Sequence, residues 1–380
     1  MTSRKLWMVF VIAAIIVVFV WSKSISKNHA PDIQQQVIQI GSLIPLTGND
    51  AFWGQNIKNG IELARAEINQ SGGVLGKQIE IVYEDSHSDP RTGTEAVNKL
   101  ISSHGVQAVI GDTISSVILA VAPIMEKNKV VLLGFGESAE ITKAGDYIFR
   151  NWNSASSDAE ITGAFASKKS KKLVVLSQND AFGKSAKALF VEQLQKGGAQ
   201  VVFENEFEKG QSDFKTLLTR LRGLDYDGIY IASFHQQAIL LLKQYKELGL
   251  RSSPVYGVSS WEEGTLIDFV KSNFPNTVYY GYPKPPDPGS KVVQHFRQAY
   301  QQRYSKAPEI LCDNGYDALM MIAAAITHAG TYDGEKIKQQ LYQLKDYEGS
   351  SGVMNFDSNG DVHKPFGLKT ITLKGSEWLE

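Results

Sequence analysis

Residues Val130–Thr142 read VVLLGFGESAEIT, an apolar run that enters a loop carrying Gly134, Gly136 and Ala139. The spacing matches the GxGxxG/A loop that cradles a dinucleotide pyrophosphate. That loop needs a full crossover helix after its glycines and an acidic residue about 20 positions later. Glu137–Lys143 leaves barely two turns before Gly145-Asp146, and the loop follows the fourth strand-like segment of the chain, not the first. The dinucleotide reading therefore gives way to two others. In one the glycines only relieve crowding where a strand ends; in the other their missing side chains let main-chain amides approach a ligand.

Upstream of this loop the periodicity alternates. Strand-like Val37–Ile40 leads through Gly41, Pro45 and Gly48 to a segment that places Ile57, Ile61, Ala64 and Ile68 at helical spacing, stopped by Gly72-Gly73. Strands over 78–83, 108–110 and 130–133 follow, with helices over 94–103 and 115–127. Such alternation gives an α/β class with a parallel sheet flanked by helices. The pattern restarts after Arg150: helix 159–166, strand 172–176, helix 183–195, strand 200–203, helix 213–222, strand 228–231, helix 236–248, strand 254–256. Pro283–Gly289 (PKPPDPG) reads as a stiff connector. Helices over 292–304, 313–329 and 335–344 have no strands between them and must pack on a sheet made earlier, and a hairpin turns at Asp357–Asp361. The organisation is 1–30 as signal or anchor and tether, 31–153 plus 283–360 as a discontinuous first lobe, 154–282 as the second lobe, and 361–380 as a C-terminal strand and tail.

Composition narrows the function. With 43% hydrophobic and 21% charged residues the 380-residue chain is globular and long enough for two cores. Leu6–Trp21 is an uncharged apolar run that addresses the chain to a membrane, either as a signal peptide or as a retained anchor, and SKSISKNHAP (22–31) follows as a polar tether. Beyond residue 30 the chain holds 35 basic against 40 acidic residues, which argues against nucleic acid as a partner. A single cysteine, Cys312, excludes an intrachain disulfide and lies too far from the N-terminus to be a lipoprotein acceptor; no CxxC or HExxH spacing offers a metal, and no cofactor is implied. Glu84-Asp85 with His87 could suggest acid–base work, but no nucleophile and base are spaced to act together. The reading is of a protein that is not an enzyme.

An ordered set of short motifs carries a family resemblance: Ile44-Pro-Leu-Thr-Gly48, Trp53-Gly-Gln, Asn59-Gly-Ile-Glu-Leu-Ala64, Gly72-Gly73, Asp89-Pro90, Val109-Ile-Gly111, Ser115-Ser116, Ala122-Pro123, Phe149-Arg150, Asn179-Asp180-Ala-Phe182-Gly183 and Gly352–Asp361. In that order the chain resembles, from Val37 to its C-terminus, the type I periplasmic solute-binding proteins of the Leu/Ile/Val-binding class that serve ABC transporters. The resemblance implies two Rossmann-like parallel-sheet lobes joined by a three-stranded hinge, a Venus-flytrap that closes on a small amino-acid-like or amide ligand. It also assigns the late helices to the first lobe. The partner it implies is an inner-membrane ABC permease, and the location is periplasmic. A membrane-anchored sensor of the same fold, signalling to a membrane partner without transport, is the alternative.

Ligand contacts implied by the resemblance are Ser115, with Ser116 beside it, at a helix N-terminus whose free N–H groups suit an anion; Gly136, Glu137 and Ser138 in the loop quoted above; Trp53, Phe182 and Phe234-His235 as rings around the ligand; and Ser259 with Trp261 after a second-lobe strand. From spacing alone Ser115 or Ser116 could equally be an ordinary helix cap, and each ring could be lobe packing. Two departures bear on the ligand. Glu137 stands where many amino-acid binders of the class have a hydroxyl residue, and Ser259-Ser260-Trp261 stands where they have the acid that holds the α-ammonium. A neutral amide or a cationic group would satisfy Glu137 better than a carboxylate.

Overall fold

The computed structural model describes residues 37–379, so the apolar run Leu6–Trp21 and the tether lie outside the described residues. The first sheet contains β1 (Val37–Ile44), β2 (Gln78–Asp85), β3 (Ala108–Ile110), β4 (Val131–Gly134) and β5 (Ile148–Arg150), all parallel in the order β2-β1-β3-β4-β5. Its crossover helices are α1 (Ala51–Gln70), α2 (Pro90–His104) and α3 (Ser115–Asn128). Parallel strands covered on both faces should be apolar throughout, and β3 and β4 are buried at every residue. One core packs Ile38, Ile40, Ile57 and Ile61 on one side of this sheet; the other packs Val97, Val117, Val121 and Leu132 on the opposite side.

The second sheet is built from β6 (Lys172–Gln178), β7 (Gln200–Phe207), β8 (Gly228–Ala232), β9 (Val255–Tyr256) and β10 (Val278–Pro283), parallel to one another, with α4 (Ala155–Lys169), α5 (Ala181–Lys196), α6 (Lys215–Thr219), α7 (His235–Glu247) and α8 (Gly264–Asn273) around it. The late helices α9 (Lys291–Tyr304), α10 (Cys312–Ala329) and α11 (Gly334–Gln343) return to the first lobe, as their lack of intervening strands demanded. There α10 lies against α1 backbone to backbone: a Cβ on Gly60 would come within 1.9 Å of the Cys312 carbonyl oxygen. A short hairpin, β11 (Tyr347–Gly349) with β12 (Gly352–Met354), precedes the turn at Asp357–Asp361.

Three features differ from the sequence expectation. Residues 361–380, expected as one strand and a tail, carry two strands, β13 (Phe366–Thr372) and β14 (Gly375–Trp378), which extend the second sheet antiparallel from β10. The full order is β14-β13-β10-β9-β8-β6-β7. The helix expected over 213–222 is α-helical only as far as Thr219, then continues as turns with i to i+3 bonds to Gly223, whose φ of +80° ends it. Finally, α8 and β10 occupy a stretch in which no element was expected.

The chain crosses between the sheets three times: after β5, after β10 and before β13. These crossings are tied to one another. Arg150 at the end of β5 pairs with Asp361, Nε to Oδ1 at 2.8 Å, and its amide donates to the Gly360 carbonyl; Lys284 N–H donates to Pro365 O at 2.7 Å. Asn151 and Asn314 exchange side-chain amide to carbonyl hydrogen bonds at 3.1 and 2.7 Å.

Candidate functional site

In an open α/β sheet the crevice for a ligand lies beyond the carboxyl ends of the strands, where the strand order reverses. The first sheet reverses between β1 and β3, the second between β6 and β8. Residues just past those four ends meet: Trp53 after β1, Thr113 and Ser115 after β3, Phe182 after β6 and Phe234 after β8 all line one small pocket between the lobes. The segment beyond β3 reaches it because Gly111 takes φ +117° with its Cα against Leu43 O, 1.9 Å from where a Cβ would stand. Only glycine fits that backbone.

Around the pocket the structure separates the expected residues into those on the wall and those behind it. Trp53, Ser115, Glu137, Phe182 and Phe234 line it. Phe182 and Phe234 stack with centroids 5.0 Å apart, and Trp53 meets His235 edge to face at 5.8 Å. His235 itself is behind the wall, where burial holds its imidazole below the usual range and thus neutral at pH 7. Ser138 is fully buried and donates its amide to Ser115 Oγ at 3.1 Å, which fastens the 134–138 loop onto the start of α3. Gly136 serves that same packing. A Cβ there would stand 2.7 Å from Ile141 Cδ1 and 2.9 Å from Ile118 Cδ1, while its carbonyl accepts from Arg150 Nη1 at 3.2 Å.

Two expected contacts fall away from the pocket. Ser116, half-buried, is not among the lining residues; the helix turns about 100° between consecutive residues, so it cannot share the direction of Ser115. Trp261 is wholly buried in the core of the second lobe with its indole N–H on the Ser233 carbonyl at 2.8 Å, and Ser260 lines the pocket in its place. Ser259 is buried too, but as a bridge: its Oγ donates to Glu137 Oε1 at 2.7 Å, accepts from Asn153 Nδ2 at 3.0 Å, and its amide donates to Asp158 Oδ2 at 2.7 Å.

The sequence reading missed Thr113, Phe135, Trp152, Ser260, Ile310 and Leu311 on this wall. Thr113 and Phe135 sit inside segments already singled out, and period alone would have found them. Trp152 follows the Phe149-Arg150 motif at the first crossing, and its Nε1–H donates to Glu137 Oε1 at 3.0 Å. Ile310-Leu311 carries no local signal, because it arrives from a loop before α10.

Glu137 is the one ionisable residue among the described residues that line the pocket. Burial raises its pKa, and the Trp152 and Ser259 donors oppose that rise. Its neighbour Asp158, behind Ser259, is pushed up to about 8 by burial and by the Glu137 charge. Around the pocket several polar atoms have no partner: Glu137 Oε2, Trp53 Nε1, Thr113 Oγ1 and Ser260 Oγ. Buried polar atoms ordinarily find partners, so these four atoms are open to hydrogen bonds with a group placed in the pocket. The carboxylates of Asp85 and Asp357 are spent otherwise: Asp85 accepts from Leu46 N, Thr47 Oγ1 and His87 N, and Asp357 accepts from the amides of its own turn.

A model of the periplasmic binding protein family matches residues 37–368. The chain belongs to that family. Among relatives of this periplasmic binding protein is a Leu/Ile/Val-binding protein homologue from Brucella melitensis, 27% identical over 344 residues and covering 86% of this chain and 89% of the relative. A leucine-, isoleucine-, valine-, threonine- and alanine-binding protein from Pseudomonas aeruginosa is 27% identical, with 90% of each chain covered. Among solved structures, a leucine-binding protein from Thermotoga maritima superposes with a TM-score of 0.82 at 26% identity, over 90% of this chain and 98% of that one. The branched-chain amino acid transporter substrate-binding protein of Streptococcus pneumoniae, solved with isoleucine, gives a TM-score of 0.78 at 26% identity, over 90% and 99%. The sensor alternative finds no support among these relatives. No helix among the described residues of this binding protein is long and apolar enough to cross a membrane.

Proposed function

We propose that this protein is an extracytoplasmic receptor that encloses one small amino-acid-like or amide solute between its lobes and hands it to an ABC importer, with the N-terminal apolar run serving as its signal or anchor. The observation that carries this reading is the shared wall. Thr113, Ser115 and Glu137 come from the first lobe, Phe182, Phe234 and Ser260 from the second, and neither set makes a binding site alone. A solute that contacts both walls binds only the closed arrangement, so its binding free energy shifts the open–closed population toward closure. Phe135, Phe182, Phe234, Ile310 and Leu311 suit a hydrocarbon side chain, and the unpartnered polar atoms suit a polar head. The relatives named for Leu, Ile and Val support the same solute size.

A ligand that binds only the folded state raises the melting temperature. A thermal-shift screen of the full chain against amino acids, amino amides and amines is therefore expected to give a rise that Ser260→Ala and Thr113→Val both reduce. A panel with no shift, or a shift that both variants leave unchanged, would contradict the proposed site.

A further inference from the structure

We infer that the pocket selects its solute by a cationic nitrogen seated on Glu137 Oε2, and that a carboxylate on the solute is dispensable. This rests on the cleft reading above and specifies its ligand. Glu137 is 7% exposed, and its two oxygens are not equivalent: Oε1 accepts from Trp152 Nε1 and Ser259 Oγ, whereas Oε2 has no hydrogen-bond partner among the described residues, the nearby Asn153 amide donating to Ser259 Oγ. A buried carboxylate oxygen in this state awaits a donor, and a charged donor makes the strongest bond.

Among the described residues no cation fills the position. The nearest guanidinium, that of Arg150, is committed to both oxygens of Asp361 and to the carbonyls of Gly136 and Ser138, so it supports the loop from behind. Among the described residues no lysine, arginine or histidine lines the pocket. An anionic head would accordingly face Glu137 with only neutral donors in support. Those donors are Trp53 Nε1–H, the Thr113 and Ser260 hydroxyls, and Ser115 Oγ–H at the start of α3. They call for an acceptor on the solute, and a neutral carbonyl meets that need as well as a carboxylate. The acid that recognises the nitrogen thus comes from the first-lobe loop, while the second-lobe segment Ser259–Trp261 contributes hydroxyls. The chemical class is a small primary amine with an apolar side chain and one carbonyl acceptor.

Three probes of nearly equal shape separate the groups: L-leucinamide carries the amine without a carboxylate, L-leucine carries both, and 4-methylpentanoate carries the carboxylate without the amine. Calorimetric titration of the full chain at pH 7 is expected to show L-leucinamide binding at least as tightly as L-leucine, and 4-methylpentanoate not binding. Glu137→Gln, which keeps the shape and the acceptor for Trp152 and Ser259, is expected to weaken L-leucinamide by about 10- to 100-fold with the melting temperature of the empty protein retained. Binding of 4-methylpentanoate as tight as that of L-leucine, or an unchanged L-leucinamide affinity in Glu137→Gln, would overturn the cationic selection and leave the cleft as a binding site. If the folded protein binds none of the three, both the selection and the cleft reading fall.

Discussion

Glu137, Ser259 and Asp158 form a buried chain in which one serine joins two carboxyl groups. Two carboxylates this close in a medium of low polarity do not both ionise readily. Asp158 is displaced from an ordinary 3.8 to about 8, driven first by burial and then by Glu137, with Tyr230 and the donors Thr162, Ser259 and Gly281 packed around it. The folded protein therefore holds this proton more tightly than the unfolded chain. Stability from Asp158 is present at low pH and declines as pH rises from about 4 to about 8. Asp158→Asn is expected to remove that decline, seen as a shallower fall of the urea midpoint across this window than in the parent. Trp53 offers a second test. Its ring is 4% exposed and packs on Phe52 and His235, so Trp53→Ala is expected to cost about 3–5 kcal/mol of stability, whereas Trp53→Phe keeps one aromatic ring, removes the unpartnered N–H together with the rest of the indole, and is expected to weaken binding at a smaller stability cost than Trp53→Ala. At this scale the sequence was legible where a residue directly follows a strand end, as Ser115, Phe182 and Phe234 do. Ser116 and Trp261 lie off the pocket wall while their neighbours Ser115 and Ser260 are on it, since a helical or 3₁₀ turn rotates the next side chain by 100–120°.

Among the elements, the joint between β5 and the turn before β13 is held by a buried ion pair. Arg150 is 1% exposed and binds Asp361 through two nitrogens while its remaining one holds two carbonyls of the pocket loop. Removing one partner of a buried ion pair strands the other, at a cost of about 3–5 kcal/mol. Arg150→Ala is expected to lower stability by that amount in denaturant titrations. The double variant Arg150→Met with Asp361→Leu should recover much of it, yet still bind solute more weakly, because Gly136 and Ser138 have lost their donor. The alternation of strands and helices was readable through most of both sheets, where a strand is followed by a helix with its own period; β5, which follows β4 without a helix, and the α8–β10 stretch were not. The antiparallel addition of β13 to β10 was not. It joins segments more than 80 residues apart, and nothing local in Phe366–Thr372 names its neighbour.

Taken whole, the molecule is seen closed. At the mouth of the cleft Lys209 Nζ lies 3.2 Å from Asp50 Oδ2 and reaches the Ser88 carbonyl; Gln236 Nε2 donates to Asn49 O at 2.9 Å, and deeper in, Ala139 N–H donates to Ser185 Oγ at 3.0 Å. These contacts join first-lobe loops to second-lobe ones and exist only when the lobes meet. Lys209 is about a third exposed although Asp50 is buried, so the pair is partly screened by solvent and worth about 1 kcal/mol. Lys209→Ala is therefore expected to speed solute release by about two- to fivefold in stopped-flow measurements without altering the melting temperature of the empty protein. The two-lobed plan was legible from the repeated alternation; the mouth contacts were not, because they depend on how one rigid body rests on the other.

Closure can be measured directly. Cys312 is buried and its thiol is pushed up to about 12, so spin labels attach selectively to cysteines placed at exposed Arg91 and Ser212, one on each side of the mouth. With the solute-free full chain, double electron–electron resonance is expected to give a broad or long inter-label distance that collapses to one shorter, narrow distance at one equivalent of bound L-leucine. A distribution that stays the same while calorimetry shows L-leucine bound would contradict enclosure between the lobes.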